Sequence, residues 1–550
     1  MCSKPLSATP FTRRRLLELR ALQSAAGVLS AAALAVLLFY LLVYVQYARA
    51  IFVFPFDYDQ GEGFELYDGI RLLRGQNIYL DNAQFPFYSS NYPPMYRAML
   101  VPLLALFGPH LWVGRALTFA TSLVTGLVIA RAIWTGTPTA PPSLRGALTA
   151  LGGLSFFAAN YVYHIAPLAR AHLPMVMFAA LGIHSLDRAF SRAQPQAWRA
   201  GLGIALLMTA GFTKLQAVDA LVAGFGWLLL RQRRWFVAAF FACLAVTVGL
   251  VAWLNAVTAG QFWINVVLAN VNEYDIALTW QTYAQWLRLQ LVLIAGGVLH
   301  GVWDVWAMWR ARSTRPLSVW SLYFLTASAM GLLTGKWGAG PAYLIASIVA
   351  GAVCTGRMLA RLADRLGACH RPAGAAAMLA VSALVWLAQA SLNVHLPTSG
   401  RLFGRVAQLI GVADAPSVYP PYPYFDSAGY TQLGHFPLPE DHAQGWALVE
   451  ALRNVDGPVW SEEATFVLLA GKEVVTNPTQ LYNLSKNAML DTREMIALIE
   501  QRAFGAVLFR ALFYPDDVKE AILRNYYWAQ RFPINGFEYW LLLPIPKEEL

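Results

Sequence analysis

The sequence predicts a polytopic α-helical membrane protein of about eleven spans with a C-terminal extracytoplasmic α/β domain. Three observations carry this. First, of 550 residues 57% are hydrophobic and only 13% charged, whereas soluble globular domains hold about 25% charge. That deficit cannot be spread over a water-facing surface, and it excludes a disordered chain, a disulfide-built secreted scaffold and an ordinary cytosolic enzyme. Second, charge is partitioned: residues 1–395 hold 13 acidic and 29 basic side chains, residues 396–550 hold 18 and 12. The net +10 therefore belongs to the apolar body and is no argument for nucleic acid. Third, long apolar runs alternate with arginine-rich turns.

The first span is residues 22–46, an uncharged run of 25 behind Arg13, Arg14, Arg15 and Arg20. At 1.5 Å per residue it crosses a ~30 Å hydrocarbon core, and it is too long for a cleaved signal peptide. Residues 1–21 are then a cytoplasmic basic N-terminus. Ten further spans are expected near 112–134, 147–166, 173–187, 200–213, 216–230, 236–256, 286–309, 318–335, 340–356 and 374–393. The turns this assigns to the cytoplasm, with the N-terminus, hold 20 of the body's 29 basic residues, as the positive-inside rule demands. Residues 95–107 are too short to span and are expected as a helix in the outer interface. Body and tail divide at 395/396, and a first outer loop covers 47–97. The chain is expected in the cell membrane, multi-pass, with loop and tail outside.

In the tail, a proline- and tyrosine-rich linker (417–426) precedes segments that read as strands at 458–461, 472–476 and 505–510, and as helices at 492–502 and 515–526. Cys2, Cys243, Cys354 and Cys369 lack metal-ligand spacing. The 19 tryptophans and 24 tyrosines fit interfacial belts; Tyr419, Tyr422 and Tyr424 could also stack on sugar rings.

Six of the body's 13 acids sit in the first outer loop: Asp57, Asp59, Glu62, Glu65, Asp68 and Asp81. Asp57 and Asp59, two apart, point to one side of an extended segment, and Gly61 and Gly63 permit close backbone approach. Residues 64–74 have helical spacing. A lone D-x-D is more often a solvated acidic loop, but these acids concentrate in a chain that otherwise avoids them.

Asp59-Gln60-Gly61, followed by L-x-x-G-x-x-x-Y (72–79), Tyr92-Pro93-Pro94-Met95-Tyr96 and a short apolar helix ending Leu106-Phe107-Gly108, resembles the GT-C glycosyltransferases. The match is nearest the bacterial branch of lipid A aminoarabinose transferases, protein O-mannosyltransferases and lipopolysaccharide-core galacturonosyltransferases. It is most specific over 51–115 and loose over 22–393. It implies a transferase that moves a hexosyl or pentosyl group from a polyprenyl-phosphate donor to a glycan, lipid or protein acceptor of the cell envelope. It also implies that Asp59 faces the meeting point of donor and acceptor, with Asp57 and Glu62 as auxiliaries. Gln60 stands where the family's acid is expected.

Such chemistry needs a base for the acceptor proton and cations for the departing phosphate. Three cations break the positive-inside bias: Lys214 between two apolar runs, Arg170 at the outer end of a span, and Lys336 at an outer turn. An intramembrane lysine is a functional candidate by default, although each could snorkel, and Lys214 could pair with Asp219. Thr213-Lys214-Leu215-Gln216 resembles the family's T-K-Q, which places the lysine near the donor phosphate. His172, in Arg170-Ala171-His172, falls where the resemblance implies an acid, and could help hold a divalent metal. The rival reading is a transporter or lipid flippase. It predicts repeat symmetry and midplane helix breaks, whereas here the polar features crowd one face.

Overall fold

The computed structural model describes residues 13–191, 194–367, 371–412, 422–428 and 434–546. The start of the N-terminus, Arg192, Cys369 and the linker residues Tyr419, Pro420 and Pro421 lie outside them.

Among the described residues, sixteen α-helices make the body. They are α1 (Arg13–Val53), α2 (Glu62–Leu73), α3 (Met95–Phe107), α4 (Leu111–Gly136), α5 (Pro142–Ser155), α6 (Asn160–Ile165), α7 (His172–Ala189), α8 (Ala197–Thr213), α9 (Val218–Arg231) and α10 (Arg233–Val257). There follow α11 (Gln261–Val266), α12 (Ile276–Leu289), α13 (Leu291–Ala311), α14 (Val319–Ala329), α15 (Ile345–Arg365) and α16 (Pro372–Ser391). Each of the eleven expected apolar segments is mainly helical. Among the described residues, six helices are long and apolar enough to cross a membrane by length and composition. The helix expected at 95–107 is present as α3, and the helix expected at 64–74 is α2.

Several body helices stop short at one level. The join of α8 to α9 breaks at Lys214, which is extended (φ −157°, ψ 134°) before a single 3-10 turn. A 3-10 stretch, Met330–Gly335, ends at Lys336, and another covers Pro341–Leu344. Residues 166–171 link α6 to α7 without a helix. Irregular backbone at membrane depth leaves unpaired N–H and C=O groups, and is tolerated where it lines a cavity.

The tail begins with a two-stranded antiparallel pair, β1 (His395–Pro397) and β2 (Tyr424–Asp426). Its main sheet, β3 (Val459–Ser461), β4 (Ala506–Phe509), β5 (Tyr526–Ile534) and β6 (Phe537–Pro544), has the order β3-β4-β6-β5, with only β3–β4 parallel. The strands at 458–461 and 505–510 and the helices at 492–502 and 515–526 are found. Residues 472–476 are a correction. They form no strand, because the segment makes only single bridges, Val474 to Val459 and Thr476 to Phe87 of the first loop.

The core runs unbroken from the bundle into the tail, joining Tyr47 and Phe56 with Leu448 and Phe466. The first loop is the filling between them. Phe56 stacks on Phe466 with ring centroids 5.1 Å apart, and the Tyr58 hydroxyl donates to the His435 carbonyl at 2.7 Å.

Candidate functional site

Where the helices stop short, a cavity of about 420 Å³ opens between body, first loop and tail. Asp59, Arg170, His172, Lys214 and Lys336 all line it. These five residues come from segments up to 277 positions apart in the chain, and the interruptions in the helices bring them together.

Asp59 is paired with Arg170, whose guanidinium also donates to the Gln60 carbonyl. Gly61 makes this approach possible. It sits at φ 97°, and a Cβ there would lie 2.9 Å from Arg170 Nη1. Gly63 is tighter still, because a Cβ would come within 2.5 Å of Thr465 Oγ1 and 2.8 Å of Asp57 Oδ1. The two glycines let the loop lie flat against an arginine on one side and the tail on the other.

Asp57 and Glu62 are not in the cavity wall. Asp57 accepts from the Gly63 N–H at 2.5 Å and the Thr465 N–H at 3.1 Å, pinning loop to tail. Glu62 is fully buried against Arg115, with contacts of 2.9 and 2.8 Å, and also accepts from the N–H groups of Ala169 and Tyr58. Arg115 spends its remaining donors on the carbonyls of Ile51, Phe54 and Phe56. Both carboxylates are used up in holding the loop, which corrects their expected place beside Asp59.

Lys214 is 6% exposed. Its Nζ lies 3.0 Å from His172 Nε2 and 4.8 Å from the centre of the Tyr92 ring, and no bond to Asp219 forms. His172 therefore meets an ammonium group and not a carboxylate. Among the described residues no three metal-binding side chains stand together. This donor set does not fit a divalent cation.

Four further contributors were given no role in the site from the sequence. Glu65 and Asp68 line the cavity from α2 and share Arg97, at 2.6 and 3.1 Å. Burial pushes the Glu65 carboxyl up to about 6, against the pull of Arg97. Trp337, beside Lys336, packs on Tyr482 of the tail at 4.7 Å. Arg510 reaches the cavity from the tail. Its Nη2 donates to Gln60 Oε1 at 3.1 Å and its Nε lies 2.9 Å from Glu463. The Glu462 carboxylate fixes the supporting turn by accepting the backbone N–H groups of Arg510, Ala511, Leu512 and Phe513. A cluster of cations facing a carboxylate across a polar cavity can bind an anionic leaving group beside a proton acceptor.

No protein-family model matches the chain, and no curated protein sequence matches it. Among solved structures it is similar to ArnT from Cupriavidus metallidurans in the apo state, with 13% identity and a TM-score of 0.53 over 91% of this chain and 97% of that one. The same protein bound to undecaprenyl phosphate aligns at 12% identity and TM-score 0.49, covering 91% and 98%. The archaeal oligosaccharyltransferase AglB from Archaeoglobus fulgidus, in complex with an inhibitory peptide and a dolichol-phosphate, aligns at 11% and 0.45, covering 92% and 74%. At these identities the likeness is one of fold: the chain shares the fold of ArnT over nearly its whole length, and with its long apolar helices it is a multi-pass membrane protein.

Proposed function

We propose that the protein is an integral membrane glycosyltransferase that moves a monosaccharide from a polyprenyl-phosphate donor to a hydroxyl or amine of a cell-envelope glycan, lipid or protein. The observation that carries this reading is the convergence of Arg170, Lys214 and Lys336 with Asp59 on one cavity at the ends of interrupted membrane helices. A donor lipid enters with its tail along the bundle and its phosphate among the three cations. Arg170 turns from Asp59 to the phosphate, which leaves the Asp59 carboxylate open to the acceptor. The acceptor oxygen or nitrogen then bonds to the anomeric carbon. The bond from that carbon to the phosphate oxygen breaks, its electron pair stays on the phosphate, and the acceptor proton passes to Asp59. Arg510 and Asn477 on the tail side border the space left for the acceptor.

Purified protein assayed against a panel of polyprenyl-phosphate sugars should turn over at least one donor. Asp59→Asn, nearly isosteric, should lower that turnover by ~10²-fold or more. Wild-type turnover in Asp59→Asn would move the base elsewhere, and binding of no member of the panel would remove the reading. The arginine bias supports a cavity on the outer face of the cell membrane. An impermeant thiol reagent should then label a cysteine at Gln76 in intact cells and not one at Arg312, and the reverse pattern would invert the topology.

A further inference from the structure

A second groove, of about 370 Å³, opens between α4, α7 and α8. It lies at the opposite end of the bundle from the cavity. α7 has 18 residues, about 27 Å of helix, so Arg188 in its last turn stands most of a membrane's depth from His172 at its start. From α7 the groove takes Leu181, His184, Ser185 and Arg188, spaced as one helix face. From α8 it takes Trp198, Arg199, Leu202 and Leu206, and Arg131 of α4 closes the third side.

Three guanidinium groups and an imidazole thus gather at one end, and the lining contains no carboxylate. Asp187, next to Arg188 in the chain, is committed to Arg357 at 2.6 Å. Arg199 Nε and His184 Nδ1 are buried with no hydrogen-bond partner. The Arg131 and Arg199 guanidinium groups, with Arg199 Nε unspent, offer charge-assisted donors that an anion satisfies. The other end is apolar. Leu181 lies seven residues inward of Arg188, and Leu202 and Leu206 lie three and seven inward of Arg199. Trp198, 65% exposed, stands at the rim with the Arg199 guanidinium 5.0 Å from its ring centre. A basic mouth at the membrane surface leading to a leucine floor has the polarity of one amphiphile.

We infer that this groove holds an anionic glycerophospholipid, its phosphate among Arg131, Arg188 and Arg199 and an acyl chain along Leu181, Leu202 and Leu206. Inorganic phosphate could satisfy the arginines but would leave the leucine floor uncovered.

The full-length protein in detergent is titrated with phosphatidylglycerol, phosphatidylcholine or inorganic phosphate, and read by native mass spectrometry and by unfolding midpoint. Phosphatidylglycerol should be retained and should raise the midpoint, and the other two should not. The double variant Arg131→Gln, Arg199→Gln should weaken that binding by about tenfold or more. Arg310→Gln, at a different arginine-rich turn, should leave it unchanged. Arg131 is exposed, so Arg131→Gln alone, with a several-fold loss, keeps the test readable if the double variant does not fold. Undiminished binding in Arg131→Gln, an equal loss in Arg310→Gln, or an equal effect of inorganic phosphate would each overturn the inference.

Discussion

Asp57, Asp59 and Glu62 lie within six residues of one another, and the structure sends them to two different regions. Asp57 and Glu62 enter the seam between bundle, loop and tail, where they are 2% and 0% exposed and every contact is to the protein itself. Asp59 stays at the cavity wall, its side chain 33% exposed and held by one arginine. The difference teaches that an acidic cluster in an acid-poor chain marks a region that matters without saying why each acid is there. The partners decide. A carboxylate met by an arginine and two backbone N–H groups is a structural tie, whereas one shared with a single cation in an open cavity keeps capacity for a substrate.

The comparison breaks most sharply at the seam. Glu62→Gln removes the only carboxylate facing Arg115 among the described residues and leaves a fully buried guanidinium uncompensated. The expected cost is about 3–5 kcal/mol, seen as a large drop in unfolding midpoint or in recoverable folded protein. A Glu62→Gln protein of normal midpoint that has lost turnover would move Glu62 to the chemical side. Glu65 sharpens the comparison from the cavity side with a smaller effect. Its carboxyl is raised from the ordinary 4.5 to about 6 by burial, which outweighs Arg97. A raised carboxylic acid favours the fold in its protonated form. Its contribution is therefore complete below about pH 4.5 and is lost as pH rises through about 6, amounting to roughly 2 kcal/mol. Unfolding midpoints measured across that window should fall with pH more steeply in the wild type than in Glu65→Gln. Parallel curves would mean that Arg97 keeps Glu65 ionised throughout.

The parts of this architecture that were legible in the sequence share a physical cause. Apolar runs and arginine turns are local in the chain, so the eleven helical segments and the short helix α3 could be read directly. Lys214, Arg170 and Lys336 stood out because a bilayer and the positive-inside bias both disfavour cations there, and all three line the cavity. Long-range partners of a carboxylate carry no such mark. Glu62 finds Arg115 across 53 residues and Asp57 finds Thr465 across 408, separations that no spacing rule spans. Arg510 was hidden for the opposite reason to Lys214, because an arginine in a water-facing tail is ordinary until folding brings it to the site. The β5–β6 hairpin did carry a local signal, Asn535-Gly536 with φ of 53° and 77°, the dipeptide favoured in two-residue hairpin turns.

The central claim is that the cations of the cavity bind the donor phosphate while Asp59 takes the acceptor proton, and donor binding measured apart from transfer tests it most directly. Polyprenyl phosphate titrated against purified wild type, Lys214→Met and Asp59→Asn should separate the two roles. Lys214→Met should bind roughly ten- to a hundredfold more weakly, the scale of a lost charge-assisted contact in a buried site. Asp59→Asn, which frees Arg170 from its pair, should bind at least as tightly as wild type while transferring little or no sugar. Wild-type affinity in Lys214→Met, or a loss of binding in Asp59→Asn equal to its loss of transfer, would contradict this division of roles.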